Sequence, residues 1–330
     1  MPNGFFGVVP QGEVGKADLD LMEGSVETLR VGIYWPSIEP SPGVFELAGF
    51  ERLLGEAAGQ GIRIQPFVYG TPQWLGRDPV RSPLAYPGGA EAWASMLTAL
   101  IDRYGNGGSF WEGRKPLPVR DWQIWNEPNF VIFWHPWPSP REYARLLDVS
   151  DRAISAADPD ARVIVGGVAP VGAGPRPWRY LGSLLRIRGV KSDLDAVALH
   201  PYSASPLGVE YAVRQTRRAM ARSGAGRKPL LIGEIGVASD AEVPTGFDLG
   251  LEGQASFLRR SFHLLLENRR RWRIVGIDWF SWQDVAGWEK QCSFCQYAGL
   301  VDRSGRPKPS WFAFSQAVRG GRATSSRGGV

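Results

Sequence analysis

The stretch Trp122-Gln123-Ile124-Trp125-Asn126-Glu127-Pro128-Asn129 reads as a short apolar strand that runs out into polar residues and a proline. Beyond it, Ser139 precedes Pro140 and an amphipathic run to Ala157, which predicts a helix capped by Ser139 with proline in its first position. A second β-branched run follows over 163–167, so the segment is a strand, a helix and a further strand, the pattern of a parallel sheet. The same alternation recurs outward in both directions. Strands are predicted over 5–9, 28–33, 63–68, 122–125, 163–167, 196–200, 230–234 and 274–282, and helices over 47–60, 91–104, 140–157, 178–187, 209–222 and 254–268. Gly61 suits the left-handed position that ends the first of these helices. Eight strands in strict alternation predict an α/β protein, a single-domain (β/α)8 TIM barrel over residues 1–318, rather than an open doubly wound sheet. No Gly-x-Gly-x-x-Gly follows the first strand and no Walker sequence occurs, which argues against dinucleotide and nucleotide binding. Residues 319–330 are small, polar or Arg except for Val330, and predict a basic, disordered tail.

Composition narrows the function classes. A chain of 330 residues fits one α/β barrel, and 41 glycines suit its many tight connections. The 14 tryptophans lie mostly beside Pro, Gly and polar residues, which suggests a sugar-binding or partner-binding surface, with about half of them expected in the core. The net charge of +5 is modest. Its clusters, Arg214, Arg217, Arg218 and Arg222 at helical spacing and Arg269, Arg270, Arg271 and Arg273 at a helix end, read as solvated helix faces rather than a nucleic-acid surface. No stretch approaches the roughly 20 apolar residues of a membrane span. The chain opens almost directly on a strand at Phe5 with no signal-peptide pattern, and the expectation is an extracellular or exported protein whose signal peptide is absent from this sequence, with a cytoplasmic location as the alternative. Cys292 and Cys295, the only cysteines, stand in a loop-like Cys-x-x-Cys. A disulfide pinning that loop is expected rather than zinc, for which no His lies nearby, or a redox pair, which would open a helix after a strand.

In an α/β barrel the C-terminal strand ends converge on one face, so polar residues there are the candidates for chemistry. They are Arg30, Asn126, Glu127, His200, Tyr202, Glu234, Trp282 and Gln283. Two are carboxylates, Glu127 at the end of the fourth strand and Glu234 at the end of the seventh. Glycosidic cleavage needs two such groups, one to protonate the leaving oxygen and one to attack the anomeric carbon or activate water. Pro128 stiffens the exit beside Glu127, and Asn126 offers a donor and an acceptor to a sugar hydroxyl. Gly233 and Gly236 let other groups pack close to Glu234. Trp35, Trp74, Trp134, Trp137 and Trp288 occupy the following loops and are candidates for stacking on several sugar units. Three histidines, none clustered with Asp ligands, argue against a metal-dependent hydrolase, so no metal or cofactor is expected.

The run from Trp122 to Asn129, continued by Phe133-Trp134 and Glu142-Tyr143, resembles the clan A glycoside hydrolases, most closely family 39 and its relatives, over roughly residues 5–318. Gly299-Leu300-Val301-Asp302 and Pro307-Lys308-Pro309 resemble the ending of these barrels. The resemblance implies a retaining O-glycosyl hydrolase acting on a β-linked oligo- or polysaccharide, with Glu127 as acid/base and Glu234 as nucleophile. It also implies an Arg30 that keeps the nucleophile ionised with a low pKa, His200 and Tyr202 beside it, and Trp282 as the floor of the reacting sugar's subsite. The segment Gly233-Glu234-Ile235-Gly236 departs from the Thr-Glu-Trp or Thr-Glu-Phe-Gly common in family 39. A transglycosylase on the same fold and a non-catalytic glycan-binding barrel are the alternatives.

Overall fold

The computed structural model describes all residues except 171, 241–244, 288–291 and 327–330, with side chains to residue 322. Its strands are β1 (Phe6–Val9), β2 (Thr28–Tyr34), β3 (Arg63–Tyr69), β4 (Asp121–Ile124), β5 (Arg162–Val168), β6 (Ala196–Leu199), β7 (Leu230–Ile235) and β8 (Ile274–Phe280). They are ordered β1 to β8 in a closed parallel barrel, the (β/α)8 fold expected from the alternation. The helices are α1 (Lys16–Met22), α2 (Trp35–Ile38), α3 (Ala48–Gly59), α4 (Gly89–Tyr104), α5 (Pro140–Ala157), α6 (Pro177–Leu184), α7 (Pro206–Arg222), α8 (Gly250–Glu267), α9 (Arg269–Trp272) and α10 (Pro309–Ser326). The chain forms two compact units. One is Met1–Arg30 with His200–Arg214 and Ile232–Val330, the other Val31–Leu199 with Gln215–Leu231.

Local rules explain the connections. Ser139 accepts the Glu142 amide at 3.3 Å and caps α5, with Pro140 in the first turn. At the end of α3, Gly61 takes φ +73°, and the amides of Gly61 and Ile62 donate to Ala58 and Ala57, which closes the helix and launches β3. Arg217 of α7 donates to the Lys228 and Gly226 carbonyls, so part of that arginine cluster holds a turn. Helix α10 runs to Ser326, into the tail expected to be disordered. Among the described residues no helix is long and apolar enough to cross a membrane.

In the first unit β1 lies beside β2 and β8, and α8 packs on α10 through Phe262 against Phe314, with ring centroids 5.8 Å apart. In the second, a chain of buried rings supports the end of β4. Trp35 meets Trp93 at 5.4 Å, Trp93 meets Trp125 at 6.2 Å, Trp125 meets Trp134 at 5.3 Å and Trp134 meets Tyr143 at 5.6 Å. All five rings are fully buried. Strand β4 stops at Ile124, one residue earlier than expected, because Trp125 turns to φ +68°.

The Tyr143 hydroxyl closes the gap that this turn opens. It donates to the Ile124 carbonyl at 2.6 Å and accepts the Gly166 amide at 2.7 Å, and burial pushes its pKa up so that it keeps its proton. Gly166 is itself required, since a Cβ there would lie 2.7 Å from the carbonyl oxygens of Ile124 and Trp125. Tyr143→Phe leaves two buried backbone groups unpaired and is expected to cost roughly 2–4 kcal/mol. The check is the urea midpoint, and an unchanged midpoint contradicts the role given to this hydroxyl.

Candidate active site

Glu127 lies in the second unit. Its backbone has φ +42°, two residues after Trp125 at +68°, so two non-glycine residues flanking Asn126 occupy the left-handed region. Such conformations cost about 1–3 kcal/mol each and persist only where the surroundings enforce them, often at functional sites. Here the enforcing contacts are visible. The Trp125 indole donates to the Phe133 carbonyl at 2.5 Å, and the Phe130 amide donates to the Glu127 carbonyl at 2.8 Å. Asn129 donates to the carbonyls of Ala169 and Pro175 and accepts the Ala169 amide. The sequence Trp-Asn-Glu-Pro-Asn is therefore a clamped exit from β4 that turns Glu127 out of the strand direction. Glu127 and Asn126 are each 6% exposed.

Glu234 and its partners lie in the first unit. Arg30, fully buried on β2, donates from Nη1 to Glu234 Oε1 at 2.5 Å. Tyr202 donates its hydroxyl to Oε2, also at 2.5 Å, and His200 Nδ1 stands 3.6 Å from that oxygen. Gly233 permits this crowding, because a Cβ there would lie 3.2 Å from His200 Nε2 and 3.4 Å from Arg30 Nε. Gly236 is stricter, since its Cβ would fall 1.9 Å from the Phe280 carbonyl oxygen.

The pKa expected for Glu234 needs correcting. Burial pushes the carboxyl above the usual carboxylate range, while the Arg30 charge and the Tyr202 and Arg30 hydrogen bonds pull it back. The arginine offsets desolvation rather than producing the low value expected from the sequence. His200 is held well below its ordinary pKa, first by burial and then by the Arg30 charge, so its imidazole is neutral.

Three tryptophans assigned to sugar binding sit elsewhere. Trp35 and Trp134 are fully buried; their indoles donate to the carboxylates of Glu39 and Glu142, and neither ring offers a face to a ligand. Trp282 is 1% exposed, donates to Asp18 at 2.9 Å and packs edge-on against Trp311. At that burial its ring offers no face to a sugar in this conformation. Trp74 is half-buried, donating to the Glu39 carbonyl, whereas Trp137 is 57% exposed. Trp288 lies outside the described residues. Gln283 is tied to the carbonyls of Asp302 and Arg303. Cys292 and Cys295 are disulfide-bonded, with their Cα atoms 5.3 Å apart.

The sequence reading missed the aromatic group around Tyr202. Phe280 and Phe294 meet its ring edge-on at 6.0 and 5.5 Å, and Phe247 stacks on Phe294 at 5.0 Å. Phenylalanines at the end of β8, in the loop before α8 and in a 3₁₀ turn share no local motif, although Phe294 inside the Cys-x-x-Cys was the one available signal.

No family model matches the chain. A β-xylosidase of Geobacillus stearothermophilus is 35% identical over 92 residues, which span 26% of this chain and 16% of that protein. Among solved structures, a glucosidase from Croceicoccus marinus superposes with a TM-score of 0.69 at 16% identity, covering 96% of this chain and 67% of that one. A monomeric β-xylosidase from Caulobacter crescentus CB15 gives a TM-score of 0.69 at 20% identity, covering 94% and 67%. The chain thus shares the (β/α)8 fold of the two solved enzymes over nearly all of its own length, while the sequence match to the Geobacillus β-xylosidase spans about a quarter of it.

The neutral His200 has a consequence for stability. Its folded pKa lies below the unfolded value of about 6.5, so below that pH the unfolded chain takes up a proton that the folded chain refuses. Stability is expected to fall by about 1.4 kcal/mol per pH unit from this group as pH drops below about 6.5. Urea titrations of the wild type and His200→Gln between pH 5 and 7 test this. The variant should show the shallower slope, and equal slopes contradict a neutral buried His200.

Proposed function

We propose that this protein is a retaining glycoside hydrolase that cleaves a β-linked oligo- or polysaccharide by double displacement. The observation that carries the proposal is the fixing of both Glu234 oxygens by a buried cation and a hydroxyl, at 2.5 Å each, at the end of β7. Donors that favour the ionised form and fix its direction are what a carboxylate nucleophile requires. In the first step a Glu234 oxygen attacks the anomeric carbon while Glu127 gives its proton to the leaving oxygen, breaking the glycosidic bond. In the second, Glu127 takes a proton from water, the water oxygen attacks the anomeric carbon and Glu234 departs.

Similarity to a β-xylosidase and to barrels solved as a glucosidase and a β-xylosidase supports a β-linked substrate. Exposed Trp137 and Ile132 on the connection from β4 to α5 support contact with further sugar units. The disulfide supports export to an oxidising compartment.

Replacing each carboxylate in turn separates the two roles. With an aryl glycoside whose leaving group needs no acid, Glu127→Gln should still glycosylate, stall at hydrolysis and regain turnover with azide. Glu234→Gln should lose at least about three orders of magnitude in kcat. Near-wild-type turnover by Glu234→Gln would remove it from the chemistry.

A further inference from the structure

Tyr202 holds Glu234 through its hydroxyl, but the tyrosine itself must be held, and its ring is met by Phe280 at the end of β8 and by Phe294 from a loop. Phe294 belongs to a four-residue 3₁₀ turn, Phe294–Tyr297, that begins inside the Cys292–Cys295 disulfide. A turn of that length has little stability of its own. Its fixed points are therefore informative. Gln11 donates to the Cys295 carbonyl at 2.7 Å and to the Ser281 hydroxyl at 2.9 Å. The Tyr297 carbonyl accepts from the Ser239 amide, the Gln254 side chain and Lys308, at 2.9, 3.2 and 3.2 Å. Lys308 is in turn buried and bound to Asp284 at 2.9 Å. These contacts anchor the C-terminal part of the turn. Across Phe294 the disulfide is joined by two backbone hydrogen bonds, from the Cys295 amide to the Cys292 carbonyl at 3.1 Å and from the Gln296 amide to the Ser293 carbonyl at 3.3 Å, and it is the covalent tie among them. The Phe294 ring is directed at Tyr202, at 5.5 Å and 72°, with Phe247 stacked behind it at 5.0 Å and 26°.

We infer that Phe294, locked by the Cys292–Cys295 disulfide, is a positioning residue that sets the Tyr202 hydroxyl on the nucleophile carboxylate and so makes turnover depend on the oxidised loop. The inference rests on the reading of Glu234 as nucleophile. Tyr202 meets Phe280 and Phe294 edge-on, and edge-on aromatic pairs have a preferred geometry rather than a merely greasy contact. Loss of one wall lets the phenol swing, and a hydroxyl donating to a charged oxygen loses its effect over a few tenths of an ångström.

The experiment compares the folded protein with its disulfide intact or reduced by dithiothreitol, assaying an activated aryl glycoside, with Cys292→Ser/Cys295→Ser and Phe294→Ala alongside. Reduction and each variant should lower kcat/KM by roughly tenfold, the size of a weakened charge-assisted hydrogen bond. Reoxidation should restore the wild type, and Phe294→Tyr, which keeps the ring, should stay near wild type. The decisive arm uses Glu234→Gly rescued by azide, which has no carboxylate for Tyr202 to hold. Its azide-dependent rate should be the same, within about twofold, with the disulfide intact or reduced. Full activity after reduction and in Phe294→Ala overturns the inference, as does an azide-rescued rate that falls in parallel on reduction, which would mark the loop as a general prop of the pocket. Either result leaves Glu234 as nucleophile. If azide does nothing for Glu234→Gly in either state, Glu234 is not the nucleophile and the positioning role falls with it.

Discussion

A carboxylate buried at the end of β7 is the constraint on which the first unit is organised. Removing an ionised group from water costs several kcal/mol, and an ion pair repays this only with close geometry and with its remaining lone pairs satisfied. Arg30 and Tyr202 provide both at 2.5 Å, one on each Glu234 oxygen. Other features follow. His200 is neutral, because burial and the nearby Arg30 charge both disfavour its cationic form. Position 233 must be small, because the arginine and the imidazole occupy the space of a side chain. The balance left on Glu234 is a carboxyl raised by burial and restrained by its donors, a poised group rather than a strongly acidic one.

The end of β4 solves a different problem in the second unit. A strand-end glutamate would continue the pleat, yet left-handed dihedrals at Trp125 and Glu127 redirect the chain. The cost of those dihedrals is met by neighbouring order: the Tyr143 hydroxyl between Ile124 and Gly166, the Asn129 clamp, and the line of buried rings from Trp35 to Tyr143. Much of the tryptophan content thus supports the backbone beneath a candidate catalytic residue rather than meeting a ligand.

This division explains what the sequence disclosed. Strand and helix periodicity made the barrel legible, and the strand bounds differ from those expected by one or two residues, most at β8, where the chain leaves the strand after Phe280. Polar residues at strand ends marked Arg30, His200, Tyr202 and Glu234, and the structure brings these four together. Trp35, Trp134 and Trp282 failed as markers because a loop residue near a strand end can point inward as readily as outward. Trp35 and Trp134 are core, and their indole protons go to buried carboxylates. The wall of Phe247, Phe280 and Phe294 was illegible because its members meet only through tertiary packing.

The central claim is double displacement by way of Glu234. It is tested most directly by recording proton NMR spectra of the wild type acting on a β-glycoside in the first minutes, before the released sugar mutarotates. The account predicts that the β anomer appears first. First appearance of the α anomer would show direct displacement by water and contradict a covalent role for Glu234.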